Sequence, residues 1–229
     1  MTNEQKTPLA LKLAGTALSL TIVYFIGELI TAAAWSKAPY DWNNNYISDL
    51  GVPECLTLDR IVCSPAHGVM NTAFISVGVL TLLALLLLIR LLAGWRRILL
   101  AVPTALFGIG IIIVGSFPGS TAEAIGGEAR MMMHGIGALL AIGVGNLMLL
   151  AAAIVFWRSF RGYAVSSLVL AVIGLSAIAG TKLGGFGLGV GGIERLAVYP
   201  VLLWLILSGV LILSSAGSLL RLTAQRQHP

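Results

Sequence analysis

The chain has 229 residues, 58% hydrophobic and 10% charged. An average soluble domain carries roughly 25% charged residues, so a soluble globular protein is excluded and a polytopic membrane protein is indicated. The formal net charge of +5 would suit a nucleic-acid partner, but the basic residues are placed as topology determinants, and no nucleic-acid partner is expected.

At about 20 apolar residues per span there is room for six or seven spans. The longest polar stretch, about thirty residues, is too short for a core of its own. The first apolar run, about 8–35, is longer than a secretory h-region and is not followed by a small-residue cleavage site, so it reads as a retained span. Further uninterrupted runs follow at about 66–89, 98–117, 131–157, 164–183 and 196–220. The expected fold class is all-α: a polytopic six-transmembrane-helix bundle, one transmembrane domain over 1–229, with an even number of spans.

Lys and Arg in the short connections set the orientation. With the N-terminus cytoplasmic, the inside segments hold Lys6, Lys12, Arg90, Arg96, Arg97, Arg158, Arg161, Arg221 and Arg226 against the single acid Glu4. The other side holds Lys37, Arg60, Arg130, Lys182 and Arg195 against Glu28, Asp41, Asp49, Glu54, Asp59, Glu123, Glu128 and Glu194. The split is +8 inside and −3 outside, which places both termini in the cytoplasm. Trp35, Tyr40, Trp42 and Tyr46 at the outer end of span 1, and Trp95, Trp157 and Tyr163 at inner ends, suit the headgroup layer. The inner connections are tight and the outer ones longer, and long loops more often carry function.

The outer loop 36–65 contains both cysteines, Cys55 and Cys63, eight apart. That compartment permits disulfides, and the spacing lacks the close CxxC pattern of a metal site, so a bridge beside the start of span 2 is expected. HGVMNTAFISVGVL from His67 and HGIGALLAIGVGNL from His134 match at six of fourteen positions. The match fits either chance similarity of Gly-rich helices or an ancestral two-helix duplication. GTKLGGFGLGVGG, before span 6, lacks the strand-then-helix setting of a phosphate loop and reads as a flexible outer connection.

Ionisable and amide residues collect at the outer helix ends. Glu28 lies about 10 Å below the outer boundary at a rise of ~1.5 Å per residue. A charge in hydrocarbon is costly, so Glu28 should face inward and find a partner among His67, His134, Lys182 and Arg195. His67 and Asn71 share a face at i, i+4. Glu194 and Arg195 open span 6, with Tyr199 one turn in. Asn146 is the deep exception, ~18 Å below His134 and ~120° round the helix from it. His134, Ala138, Ala141 and Gly145 form a small-residue stripe that invites close contact. Each of these residues also has a structural reading, as an interfacial residue, a helix-orienting pair or interhelical glue.

YISDLG, SPAHGVMNTAF, VGSFPG followed by MHGIGALLAIGVGN, and GIERLAVYPVLLW together resemble the bacterial membrane proteins grouped as domain of unknown function 998. YISDLGVPE is also similar, more faintly, to the outer loop of Frag/DRAM/Sfk-type membrane proteins. The resemblance implies a multi-span membrane protein, implies little about activity and supplies no catalytic residues to carry over. It places Asp49, His67, Asn71, His134, Asn146, Glu194 and Arg195 inside shared motifs.

Three functions fit. The first is binding of a membrane lipid or other amphiphile in a polar pocket of the outer-leaflet half. Its candidate residues are Glu28, Asp49, His67, Asn71, His134, Lys182, Glu194, Arg195 and Tyr199, with the Cys55–Cys63 loop as lid. The second is a metal- or acid/base-dependent lipid hydrolase. His67 and His134 with Glu28 or Asp49 could supply three zinc ligands, but no compact ligand motif and no nucleophile stand out, so no metal or other cofactor is expected. A haem between the two histidines has no further support. The third is an accessory subunit held to a membrane-protein partner by its small-residue helix faces.

Overall fold

The computed structural model describes residues 3–57, 60–119 and 127–226. Asp59 and Glu123, counted above among the outer acids, lie outside them. Among the described residues six helices are long and apolar enough to cross a membrane: α1 (Pro8–Ala33), α2 (His67–Leu91), α3 (Gly94–Ser116), α4 (Glu128–Phe156), α5 (Arg161–Leu183) and α6 (Gly189–Ser215). The chain is a multi-pass integral membrane protein with the six-helix architecture its apolar runs predict. Hydrocarbon offers no partner to a backbone N–H or C=O, so the runs must satisfy those groups internally as helices. Their outward faces carry exposed Leu29, Leu86, Ile98 and Leu139, apolar surface that suits lipid rather than water.

Helices α3 to α6 begin three to seven residues before the apolar runs do. The first turns, such as Gly94-Trp95-Arg96-Arg97 and Glu128-Ala-Arg, are helical without being apolar, so hydropathy misses them. The same effect converts the expected Gly-rich connection into ordered structure. Thr181–Gly187 forms 3₁₀ turns and α6 starts at Gly189, which brings Glu194 and Arg195 into the second turn of the helix.

Each helix packs on its sequence neighbours and α6 closes against α1, so the six form a ring. Small residues permit close crossings. A Cβ on Gly78 of α2 would stand 2.5 Å from the Gly108 carbonyl oxygen of α3, and one on Gly110 of α3 would stand 2.9 Å from that of Gly137 in α4. The α2–α3 turn is only Leu92 and Ala93; Gly94 adopts φ of 57°, and Arg97 Nε donates to the Leu92 carbonyl at 2.7 Å. Among the described residues two helices depart from α geometry away from their ends. α1 tightens to 3₁₀ at Leu20–Ile22, and α4 widens to a π turn over Leu139–Val144.

The connection 36–65 is folded onto one end of the ring, here the loop end. It adds a minimal hairpin to an otherwise helical chain: β1 (Leu56–Thr57) pairs antiparallel with β2 (Ile61–Val62), in the register Leu56↔Val62 and Thr57↔Ile61. The Cys55–Cys63 disulfide closes the hairpin at its base.

Candidate functional site

The site begins with how the loop holds its own shape. Asp41 accepts from the backbone N–H of Asn43 and Asn44 at 2.9 and 3.1 Å and from Asn44 Nδ2 at 2.8 Å. These donors favour the ionised form, and the Asn44 side chain foremost holds the Asp41 carboxyl below the usual carboxylate range. The next turn is organised by Asp49, which is fully buried. Its Oδ2 accepts from the Tyr46 N–H at 2.9 Å and from Arg60 Nε at 2.7 Å, and its Oδ1 accepts from Arg60 Nη2 at 3.0 Å. A buried carboxylate requires such compensation, and the hairpin supplies it by carrying Arg60 back over the turn. Arg60 also lies over the Tyr46 ring, 4.8 Å from its centroid.

The folded loop docks on α1, α2, α4 and α6. Ser64 Oγ donates to the Leu50 carbonyl at 2.6 Å, and Asn71 Nδ2 to the Gly51 carbonyl at 2.8 Å. Arg130, in the first turn of α4, donates to Glu54 at 2.9 Å and holds its carboxyl below the ordinary range. The N–H groups of Gly191 and Gly192 donate to the Asn43 carbonyl at 2.7 and 3.2 Å, which clamps the start of α6 to the loop.

Beneath this lies the most developed polar network. Glu28 is 1% exposed. Its Oε1 receives Arg195 Nε at 3.1 Å and Nη2 at 3.0 Å, and the Tyr199 hydroxyl donates to its two oxygens at 3.0 and 2.9 Å. Arg195 Nη1 donates to the carbonyls of Trp42, Asn45 and Gly191 at 2.8, 3.2 and 3.0 Å, and Nη2 to the Tyr40 hydroxyl at 2.6 Å. The guanidinium also faces the Trp42 ring at 4.8 Å and the Tyr40 ring at 5.4 Å. Tyr40 passes its own proton on to the Tyr46 carbonyl at 2.8 Å, and burial raises its pKa above the phenol value. Only a planar fork with five donors could satisfy a carboxylate, three carbonyls and a hydroxyl together.

Beside that network a slot of about 40 Å³ runs down the ring axis between α1, α2, α3, α4 and α6. Its walls are apolar, with Phe74, Phe107, Ile142 and Val201 among them, and its polar groups include Glu194, His134, Ser48 and Tyr24. Glu194 accepts the Ile47 N–H at 2.5 Å, and among the described residues it forms no ion pair. Glu28 is paired with Arg195, and the neighbouring carboxyl of Glu194 stands on the slot wall with the Ile47 N–H as its donor.

The structure thus brings Glu28, Arg195 and Tyr199 into one network and ties Asp49 and Glu194 to the loop that covers it. It keeps the two histidines apart in their bonding. His67 Nδ1 pairs with the Ser64 carbonyl at 3.0 Å and His134 Nδ1 with that of Phe117 at 2.8 Å. Among the described residues no group of three His, Cys, Asp or Glu is placed to share an ion. Lys182 is exposed and forms no ion pair among the described residues. Asn146 lies deep, where Nδ2 donates to the Ile142 and Ala197 carbonyls at 2.8 and 2.9 Å and joins α4 to α6. Sequence reading missed Tyr40 and Trp42 as partners of Arg195, having assigned them to the interface, and missed Tyr24 and Ser48 on the slot. The signal for the first two was the demand of Arg195 for acceptors near a membrane boundary.

A family model described as Protein of unknown function (DUF998) matches residues 18–211, which spans the loop, the network and the slot. No curated protein and no solved structure matches the chain.

Proposed function

This chain belongs to the DUF998 family, and we propose that it binds a membrane lipid or other amphiphile in the axial slot, the apolar chain among the helices and the head beneath the loop. The observation that supports the reading is an apolar slot whose acidic wall group, Glu194, forms no ion pair among the described residues. Binding sites for small molecules are largely apolar with a few placed polar groups. A carboxylate in such a wall favours a head with a hydrogen-bond donor or a positive charge. At about 40 Å³ the slot has room for only a few waters at about 10–15 Å³ each. A chain would enter as α4 and α6 flex along the slot wall. The π turn of α4 and Pro200 in α6 interrupt the regular ladder there, the setting in which helices bend.

The hydrolase reading has less support, because His67, His134 and Glu28 are each engaged by structural partners. We place the protein in the cytoplasmic membrane of a bacterium, both termini cytoplasmic and the disulfide loop outside. Arg90, Arg96, Arg97, Arg158 and Arg161 in the α2–α3 and α4–α5 connections support this orientation. In intact cells a membrane-impermeant thiol reagent should then label an Asn43→Cys variant and spare Ser159→Cys; the reverse pattern would invert the topology.

Lipids that co-purify with the protein test the slot. Wild type should retain an amphiphile in stoichiometric amount by mass spectrometry. Ala141→Phe, which fills the slot, and Glu194→Gln, which removes its charge, should each deplete it about tenfold, the ~1.4 kcal/mol of a charge-assisted hydrogen bond. Equal retention by all three proteins would sink the reading.

A further inference from the structure

At the end of the ring opposite the loop, a groove of about 550 Å³ lies between the start of α3, the end of α4 and the face of α5. Ile154 and Leu168 contribute its apolar floor, Trp95 and Trp157 flank it, and Arg96 and Arg158 stand at its rim. Both arginines are exposed. We propose that this groove is a binding site for an anionic phospholipid, the phosphate held between Arg96 and Arg158 and an acyl chain laid along Ile154 and Leu168.

Charge complementarity identifies the occupant. No Asp or Glu occurs between Asp59 and Glu123 or between Glu128 and Glu194, so the one acid of the α2–α3 and α4–α5 hairpins is Glu128, at the loop end of α4. The ion pairs found among the described residues, of Arg60, Arg130 and Arg195, all belong to the loop end. The counter-charge for the groove must come from outside these hairpins, and a phosphodiester headgroup is the anion a membrane supplies at that depth. The groove also has the volume of an ordinary ligand site. Neighbouring cations are already steadied on the indoles that mark the headgroup level: Arg161 lies 4.7 Å from the Trp157 ring centroid, and Arg96 lies 5.7 Å from that of Trp95. Arginine suits the task because its fork can hold two phosphate oxygens at once. The site is separate from the axial slot and does not depend on it.

The test titrates the full-length protein in neutral detergent with phosphatidylglycerol or phosphatidylcholine and counts bound lipid by native mass spectrometry. Wild type should take up one phosphatidylglycerol in preference to phosphatidylcholine. The Arg96→Gln/Arg158→Gln pair should weaken phosphatidylglycerol on the order of tenfold and leave phosphatidylcholine unchanged, which also reports that the variant is folded. Arg96→Lys/Arg158→Lys, which keeps the charges, should retain most of the preference, and Arg90→Gln should stay within about twofold of wild type. Equal uptake of the two lipids by wild type would overturn the site. So would an unchanged preference in the Gln pair, loss of both lipids in that pair, or a loss in Arg90→Gln as large as in the pair.

Discussion

Arg195 is the residue on which the loop end converges. It neutralises a buried carboxylate and at the same time satisfies carbonyls at Trp42 and Asn45 of the loop. Removing one member of a buried pair leaves the other charged and unpaired, at a cost of about 3–5 kcal/mol. Arg195→Ala should therefore destabilise the protein by that order and release the loop. Glu28→Gln, which keeps an acceptor for Arg195 and Tyr199, should cost less. Thermal unfolding in detergent measures both; equal, small shifts would mean that the network does not hold the loop. The sequence shows that Glu28 needs a partner, since a lone acid cannot rest in hydrocarbon. It does not say which of four cations, because that depends on the rotation of each helix about its axis, and packing across the ring sets the rotation. Tyr40 and Trp42 were illegible for a related reason: their role follows from the fold of a loop that carries no periodic signal.

At the scale of elements, the loop and the π turn do most to position the site. The loop is pinned to α4 by Glu54 and Arg130. The folded pKa of Glu54 lies below its unfolded value, so its ion pair contributes fully above that unfolded value, about 4.3. The contribution is lost as pH falls through the folded value. The pair is partly exposed, and its worth is at most about 1 kcal/mol. The protection factors of the loop amides, corrected for the intrinsic exchange rate, should accordingly fall several-fold on acidification below about pH 4, and Glu54→Gln should abolish that change at this strap. Protection that rises on acidification would contradict the assignment. The six apolar runs made the helices legible, and the acid and cysteine pattern marked the loop as the elaborate segment. Hidden from the sequence was the π turn at Leu139–Val144. The extra residue in that turn breaks the regular 3.6-residue phase, so the offset read between His134 and Asn146 on an ideal helix does not carry through. The helix starts at Gly94, Glu128, Arg161 and Gly189 were hidden too, because polar first turns carry no hydropathy signal.

Taken as a whole, the protein is a ring of six helices with two unlike ends. At one end, carboxylates and arginines are matched within a folded loop, leaving Glu194 on the slot wall. At the other, arginines stand on helix turns that contain no acid. The outward surface between them is apolar, and the interior slot is where the Glu194 carboxyl meets apolar walls. The most direct measurement of the central claim is photolabelling in reconstituted membranes with a long-chain primary amine that carries a diazirine midway along its chain. The account predicts adducts on slot residues, Ala141, Ile142 or Val201, competed by the unlabelled amine and lost in Ala141→Phe. Adducts confined to lipid-facing residues such as Leu139, Leu147 and Ile154, unchanged by that substitution, would contradict it.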